Sequence, residues 1–305
     1  PKRPQNPVPP YPYEAIEVTF SHGADAASKV TLAGTLTYPK GAKGVPAVVL
    51  VSGSGPQNRD EEVMGHKPFL VLADHLTRQG IAVLRYDDRG VGKSTGDFAK
   101  ATTMDFADDA AAAVSFLKNR SEVDASQIGI VGHSEGALVA PVVASRGTNN
   151  GGTAFLVLIA PVGVPGEQVL YEQAAAMSRA QGASADAIAA NRSVQSKVFE
   201  ILRNEPNDSA AAEKIKAIAG EQQAKSVTNP WFRAFLKIDP AVYLNKVRVP
   251  VLSIYGELDL QVVPSQNRPA VAEALKAGGN RRHTVVTLPS LNHLLQTAKT
   301  GSVTE

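Results

Sequence analysis

The sequence predicts an α/β fold, a mostly parallel, twisted sheet of about eight strands with helices on both faces and a helical insertion late in the chain. Three observations predict it. Short apolar runs at 47–51, 81–86, 128–131 and 155–159 alternate with segments of helical period. A strand-free stretch over 166–245 separates them from a resumed sheet pattern at 249–255. Between them, Gly132-His133-Ser134-Glu135-Gly136 stands where an apolar strand gives way to a helix.

In chain order, residues 1–13 begin Pro1-Lys2-Arg3-Pro4 and read as an extended, proline-rich linker. Two alternating runs, 16–20 and 30–37, joined by a short polar turn, predict an antiparallel hairpin. The four continuous apolar runs follow, and strands that are apolar on both faces belong to a sheet covered on both sides. Helices are expected over 69–79, 106–118 and 137–145. From 166 to 245 Ala, Gln, Glu and Lys dominate, with breaks at Gly182, Pro206, Gly220 and Pro230, which reads as a helical cap over the C-terminal edge of the sheet. A strand at 249–255, a helix at 268–277 and a last strand at 284–288 complete the core. The expected organisation is therefore a linker at 1–13, a core at 14–165 and 246–305, and a cap at 166–245.

Composition narrows the function. A hydrophobic content of 43% supplies a real core, and the formal charge of +2, without a basic block, argues against nucleic acid or an anionic membrane as partner. The absence of cysteine excludes disulfides, a thiol nucleophile and thiolate metal sites. No apolar run approaches spanning length, so stable membrane insertion is not expected. The chain starts without methionine at a proline-rich leader, which suits export to the periplasm or medium after leader removal, with a cytoplasmic location left open. Oligomeric state is left open too.

The chemistry centres on Ser134. A serine on a sharp strand-to-helix turn is forced into a strained backbone conformation, and small residues two positions to either side let strand and helix approach. Its hydroxyl needs a base oriented by a third group. Asp259, in Gly256-Glu257-Leu258-Asp259, follows one strand, and His293, in Leu291-Asn292-His293, follows the last. The order serine, acid, histidine suits this architecture. Glu257 is an alternative acid. Of six histidines, His66 is the rival base, although it precedes the serine. Donors for a developing oxyanion are expected from the backbone N–H of Glu135 and of Ser54, the latter in the loop Ser52-Gly53-Ser54-Gly55. Gly53, Gly55 and His133 are expected to line the substrate site. From the cap, Trp231 and Phe232 are expected to join them ahead of Met177, Phe199 and Phe235. Arg89-Gly90-Val91-Gly92-Lys93-Ser94 ends like a phosphate loop but has Asp87 where that motif needs glycine. Asp87, Asp88 and Arg89 are expected instead to hold their loop by charge-assisted bonds. No metal-ligand motif is present.

These segments, with Val51 to Asp60 and Arg85 to Ser94, resemble bacterial α/β-hydrolases from about Glu14 onward. Within that superfamily the chain resembles serine esterases close to dienelactone hydrolases and the catalytic domain of prolyl-oligopeptidase-type peptidases. The resemblance implies an α/β-hydrolase fold, Ser134 as nucleophile, His293 as base, Asp259 as orienter, an acyl-enzyme intermediate and no cofactor. It also implies a final helix after the histidine loop, whereas Glu305 lies only about a dozen residues past His293. Prolyl-oligopeptidase-type enzymes carry an N-terminal propeller, for which these 305 residues leave no space. The expected activity is hydrolysis of carboxylic esters with short or medium acyl chains. The alternatives are a peptidase or aminoacyl amidase, an acyl-CoA thioesterase and a hydrolase-fold binding protein without turnover.

Overall fold

A computed structural model describes residues 3–26, 28–147, 149–302 and 305. The hairpin comes first: β1 (Glu14–His22) pairs antiparallel with β2 (Val30–Tyr38), from Glu14 opposite Tyr38 to His22 opposite Val30. β3 (Val45–Val51), α1 (Pro68–Arg78), β4 (Ala82–Tyr86), α2 (Thr103–Lys118), β5 (Val123–His133), α3 (Glu135–Ala144) and β6 (Phe155–Ile159) follow as alternating strands and helices. Then come α4 (Gly166–Ala180), α5 (Ala185–Asn204), α6 (Asp208–Ala219), α7 (Glu221–Val227), α8 (Pro230–Lys237) and α9 (Ala241–Leu244) without an intervening strand. β7 (Val251–Gly256), α10 (Pro264–Ala277) and β8 (His283–Leu288) close the sheet.

The eight strands form one sheet in the order β1-β2-β4-β3-β5-β6-β7-β8, parallel from β4 to β8. Strand order reverses between β3 and β5: the chain steps outward from β3 to β4, then returns past β3 to lay down β5 on its other side. The loops leaving β3 and β5 therefore part to opposite sides and leave a crevice at the carboxyl edge, where open sheets of this kind bind ligands. These are the loop that contains Ser54 and the turn that contains Ser134.

Alternation along each strand divides the core in two. Val48, Leu50, Val83 and Val131 pack under Phe69 and Ala73 of α1. Their neighbours Val49, Val51, Leu84, Ile128 and Ile130 pack against α2, α3 and α10 on the other face. Coverage is uneven. On the α1 side, Phe155, Val157 and Ile159 are only half-buried, and Leu252 and Leu288 are exposed. After β8 the chain runs through an isolated pairing of Leu291 with Thr297, and no helix follows among the described residues.

Several boundaries moved for local reasons. α2 starts three residues before the expected 106, because the Asp105 carboxylate accepts from both the N–H and the hydroxyl of Thr102 and caps the first turn. β5 begins at Val123 rather than 128; a bulge carries residues 124–127, of which only Ala125 is apolar and none is buried, past β3, and such residues hide the strand from a hydrophobic pattern. Of the segment 1–13 expected to be a linker, Pro1 and Lys2 lie outside the described residues, and the rest is tied to the core at several points. Asn6 donates to the Gly65 carbonyl at 3.0 Å, Gln5 bonds the His66 ring at 3.3 Å, and the buried Tyr13 hydroxyl donates to Asp74 at 2.8 Å. The helical insertion has a small core of its own, built from Tyr171, Val198, Phe199, Leu202, Ile215 and Leu236.

Candidate active site

Ser134 has φ 52° and ψ −114°, a conformation side chains rarely adopt, and its N–H is held by the Ile159 carbonyl at 2.9 Å. The flanking glycines are required by space. A Cβ on Gly132 would lie 2.1 Å from the Gly136 carbonyl oxygen, and one on Gly136 would lie 2.0 Å from that of Val51. All ten residues of α3 behind the turn are buried, so the turn cannot relax by moving the helix. The Ser134 hydroxyl has no hydrogen bond among the described residues, and the N–H groups of Glu135 and Ser54 likewise meet no acceptor there.

The two sequence-predicted partners come together. His293 Nδ1 lies 2.8 Å from Asp259 Oδ2, and the Asp259 side chain is fully buried. The other Asp259 oxygen accepts the N–H groups of Gln261 and Val262 at 2.8 and 2.9 Å, which locks the carboxylate and leaves His293 Nε2 without a partner among the described residues. The alternatives lie elsewhere. Glu257 is exposed and accepts from the Ser290 N–H. The His66 ring faces Gln5 and a groove beside α1.

A cavity of about 60 Å³ opens at the serine, lined by Ser54, Ser134, Glu135, Trp231, Phe235 and Val262 among others. Gln261 also borders the adjacent, larger cavity that holds His293. Trp231 stacks on Phe235 at 5.1 Å, and its indole N–H donates to Glu135 Oε1 at 2.7 Å. The Thr103 hydroxyl donates to the same oxygen at 2.6 Å, while Glu135 Oε2 is buried without a partner among the described residues. Burial pushes the Glu135 carboxyl above its ordinary range, against those two hydrogen bonds.

Four residues expected to line the substrate site are placed differently from Trp231. Phe232 turns into the insertion's own core, with its ring 5.9 Å from that of Phe199. Gly53 lies close to the serine, since a Cβ on it would fall 3.2 Å from Ser134 Cβ, but its N–H is taken by Glu61 Oε1 at 2.6 Å. Gly55 serves the turn, at φ 96°, and does not border the cavity. His133 is buried with both ring nitrogens engaged, Nδ1 2.8 Å from Glu61 Oε1 and Nε2 2.9 Å from the His293 carbonyl oxygen.

Glu61 is the residue sequence reading missed. It sits in a run of charged residues, Arg59-Asp60-Glu61-Glu62, and nothing in that run marks which carboxylate turns inward. Its left-handed backbone, φ 51°, and 3% exposure are tertiary facts. Burial opposes charge on the His133 ring, yet the Glu61 carboxylate beside it, with help from the His293 carbonyl and Asp259, leaves the ring's pKa above the ordinary imidazole value.

The phosphate-loop lookalike supports the same loop from below. Asp87 pairs with Arg59, and Arg89 forks onto Asp109 and Asp105. Asp88 accepts from the Ser52 hydroxyl at 3.0 Å and from the Gln57 N–H at 2.9 Å, so it anchors both ends of the Ser54 turn. Burial pushes the Asp88 carboxyl up to about 8.

A sheet of this order with a strained serine turn after β5 and an acid–histidine pair on the loops after β7 and β8 defines the α/β-hydrolase class. The family model for serine aminopeptidases, S33, matches residues 67–298, and the chain belongs to that family. It is 30% identical over 264 residues to the esterase EstD of Thermotoga maritima; the match takes in 87% of this chain but only 58% of that protein's length. Among solved structures, the Pyrococcus furiosus esterase Pf2001 superposes with a TM-score of 0.60 at 20% identity, over 93% of this chain and 84% of that one. The Pseudomonas aeruginosa protein PA2218 reaches 0.64 at 17% identity, over 98% and 92%. At such identities these two establish the fold.

Proposed function

We propose that the protein hydrolyses carboxylic esters of short or medium acyl chain through an acyl-enzyme on Ser134. His293 takes the serine proton and returns it to the leaving alcohol, Asp259 holds the imidazole in its working tautomer, and the Glu135 and Ser54 N–H groups receive the oxyanion. The observation that carries this reading is the strained Ser134 turn, which faces a small cavity beside two backbone donors that meet no acceptor among the described residues, with His293 of the Asp259–His293 pair tied through its carbonyl to the neighbouring His133. An open serine–histidine bond is common in substrate-free hydrolases and tightens when substrate binds. Similarity to the EstD esterase supports the same chemistry.

The small cavity at Ser134, about 60 Å³, favours the short end of that acyl range. Helices α4–α9 act in this reading as a cap, with Trp231 and Phe235 as its contribution to the acyl side. Family membership raises aminopeptidase activity as a second reading. An aminoacyl substrate brings an ammonium group, which calls for an accessible carboxylate; one oxygen of the cavity's own carboxyl, Glu135, is taken by Thr103 and Trp231 and the other is buried, so it is a poor counter-ion. Purified protein is expected to turn over p-nitrophenyl acetate and butyrate, faster than aminoacyl p-nitroanilides. Ser134→Ala is expected to abolish turnover and labelling by a fluorophosphonate; undiminished turnover in that variant would end the proposal.

A further inference from the structure

We propose that Glu61 and His133 are positioning residues: a buried carboxylate–imidazolium pair that holds the oxyanion loop, the serine turn and the His293 segment in one register. The inference rests on the hydrolytic reading of Ser134 and His293 and adds to it a function for groups that reading does not use.

The His133 ring lies between Glu61 Oε1 at 2.8 Å and the His293 carbonyl oxygen at 2.9 Å. A carboxylate and a carbonyl only accept, so both ring nitrogens donate and the ring is a cation, balanced by Glu61. The three residues are 3%, 6% and 8% exposed, so each bond is made where water does not compete.

Glu61 Oε1 also accepts the Gly53 N–H at 2.6 Å, and Gly53 precedes the proposed oxyanion donor Ser54. With no side chain to restrict it, that glycine owes its orientation to the hydrogen bond. His133 immediately precedes Ser134. His293 is gripped at both ends, its ring by Asp259 and its backbone carbonyl by His133, and the two imidazoles lie 4.7 Å apart. One charge pair thus joins the three segments whose relative placement acyl transfer requires to a fraction of an ångström. The other titratable groups around the pair are Asp259 and His293 on the far side and His66, itself near Arg3, on the side of the N-terminal strap.

Glu61→Gln tests it. The amide oxygen can still accept from Gly53 and from His133 Nδ1, but a neutral ring protonated at Nδ1 turns its Nε2 lone pair on the His293 carbonyl, so one tie must fail. We expect kcat on p-nitrophenyl acetate to fall about 100-fold, the order seen when one oxyanion donor is lost, with KM within about threefold and phosphonylation of Ser134 slowed in parallel with kcat. The alkaline limb of the kcat profile is expected to move to lower pH, because the unpaired ring loses its proton more readily. Glu61→Asp, which keeps the charge but falls one methylene short, is expected to restore part of kcat and return the limb toward wild type; should Glu61→Gln not fold, the same comparison runs between Glu61→Asp and wild type. Wild-type protein inert to esters and fluorophosphonate would overturn the hydrolytic reading and this inference with it. Reactive wild-type protein whose Glu61 variants keep kcat, or lose it with a matching rise in KM and an unmoved pH profile, would overturn the positioning role alone.

Discussion

Two carboxylate–histidine pairs with the same 2.8 Å contact, Asp259 with His293 and Glu61 with His133, lie side by side, their imidazoles 4.7 Å apart. They differ at the second ring nitrogen. In the first pair Nε2 has no partner among the described residues, so in the proposed reaction it is the nitrogen that takes the serine proton. In the second, Nε2 is spent on a backbone carbonyl, so the ring can hold structure but cannot shuttle. An acid–imidazole contact is therefore no sign of a catalytic base by itself; the atom that decides is the nitrogen facing away from the acid.

Breaking the first pair should have the larger effect. Asp259→Asn is expected to lower kcat about 10⁴-fold with little change in KM, since the amide favours the wrong tautomer of His293; steady-state kinetics on a p-nitrophenyl ester would check this, and a loss below tenfold would remove Asp259 from its assigned role. Breaking the second should appear first in stability. Removing the Glu61 charge from beside a buried imidazolium is expected to cost about 3 kcal/mol, measured by urea unfolding at neutral pH.

Acidity sharpens the contrast. The folded-state pKa of His133 is raised above its unfolded value, so its contribution is complete below pH about 6.5 and is lost as pH rises through the folded pKa. Wild-type stability is expected to decline over that alkaline range, and the decline should flatten in Glu61→Gln; identical slopes would contradict the imidazolium assignment. Trp231→Phe, which removes one of the two donors to Glu135, is expected to cost about 1 kcal/mol in unfolding and to change kcat only severalfold. Asp88→Asn is read through pH alone. The Asp88 pKa is also raised, to about 8, so the wild type loses the stability due to that proton as pH climbs from the carboxylate range toward that value. The asparagine variant has no such loss and should gain on wild type from pH about 5 to 8 in thermal melts.

Much of this was readable in one dimension. The glycines at 132 and 136 announce the close approach of strand and helix, and the coordinates show what each spares, contacts near 2 Å. Apolar runs of strand length located the sheet. Asp259 and His293 followed from lying just past strands whose carboxyl ends share an edge. Where polar residues carried the structure, reading failed: the start of β5 runs through a bulge of exposed side chains, and the proline-rich strap reads as a linker because its bonds go to residues about sixty positions away. Phe232 and Trp231 are neighbours that composition cannot separate, although one faces the insertion's core and the other the serine.

By itself the sequence determined the sheet, the strained turn at Ser134 and the pairing of Asp259 with His293, because hydrophobic period, glycine sterics and chain order are local or ordinal properties. Tertiary structure alone decided which of four consecutive charged residues enters the core, which histidine is fastened at both nitrogens, and how small the cavity at Ser134 is. Those outcomes depend on burial and on hydrogen bonds between segments far apart in the chain, and a buried charge is stable only where the fold supplies its partner.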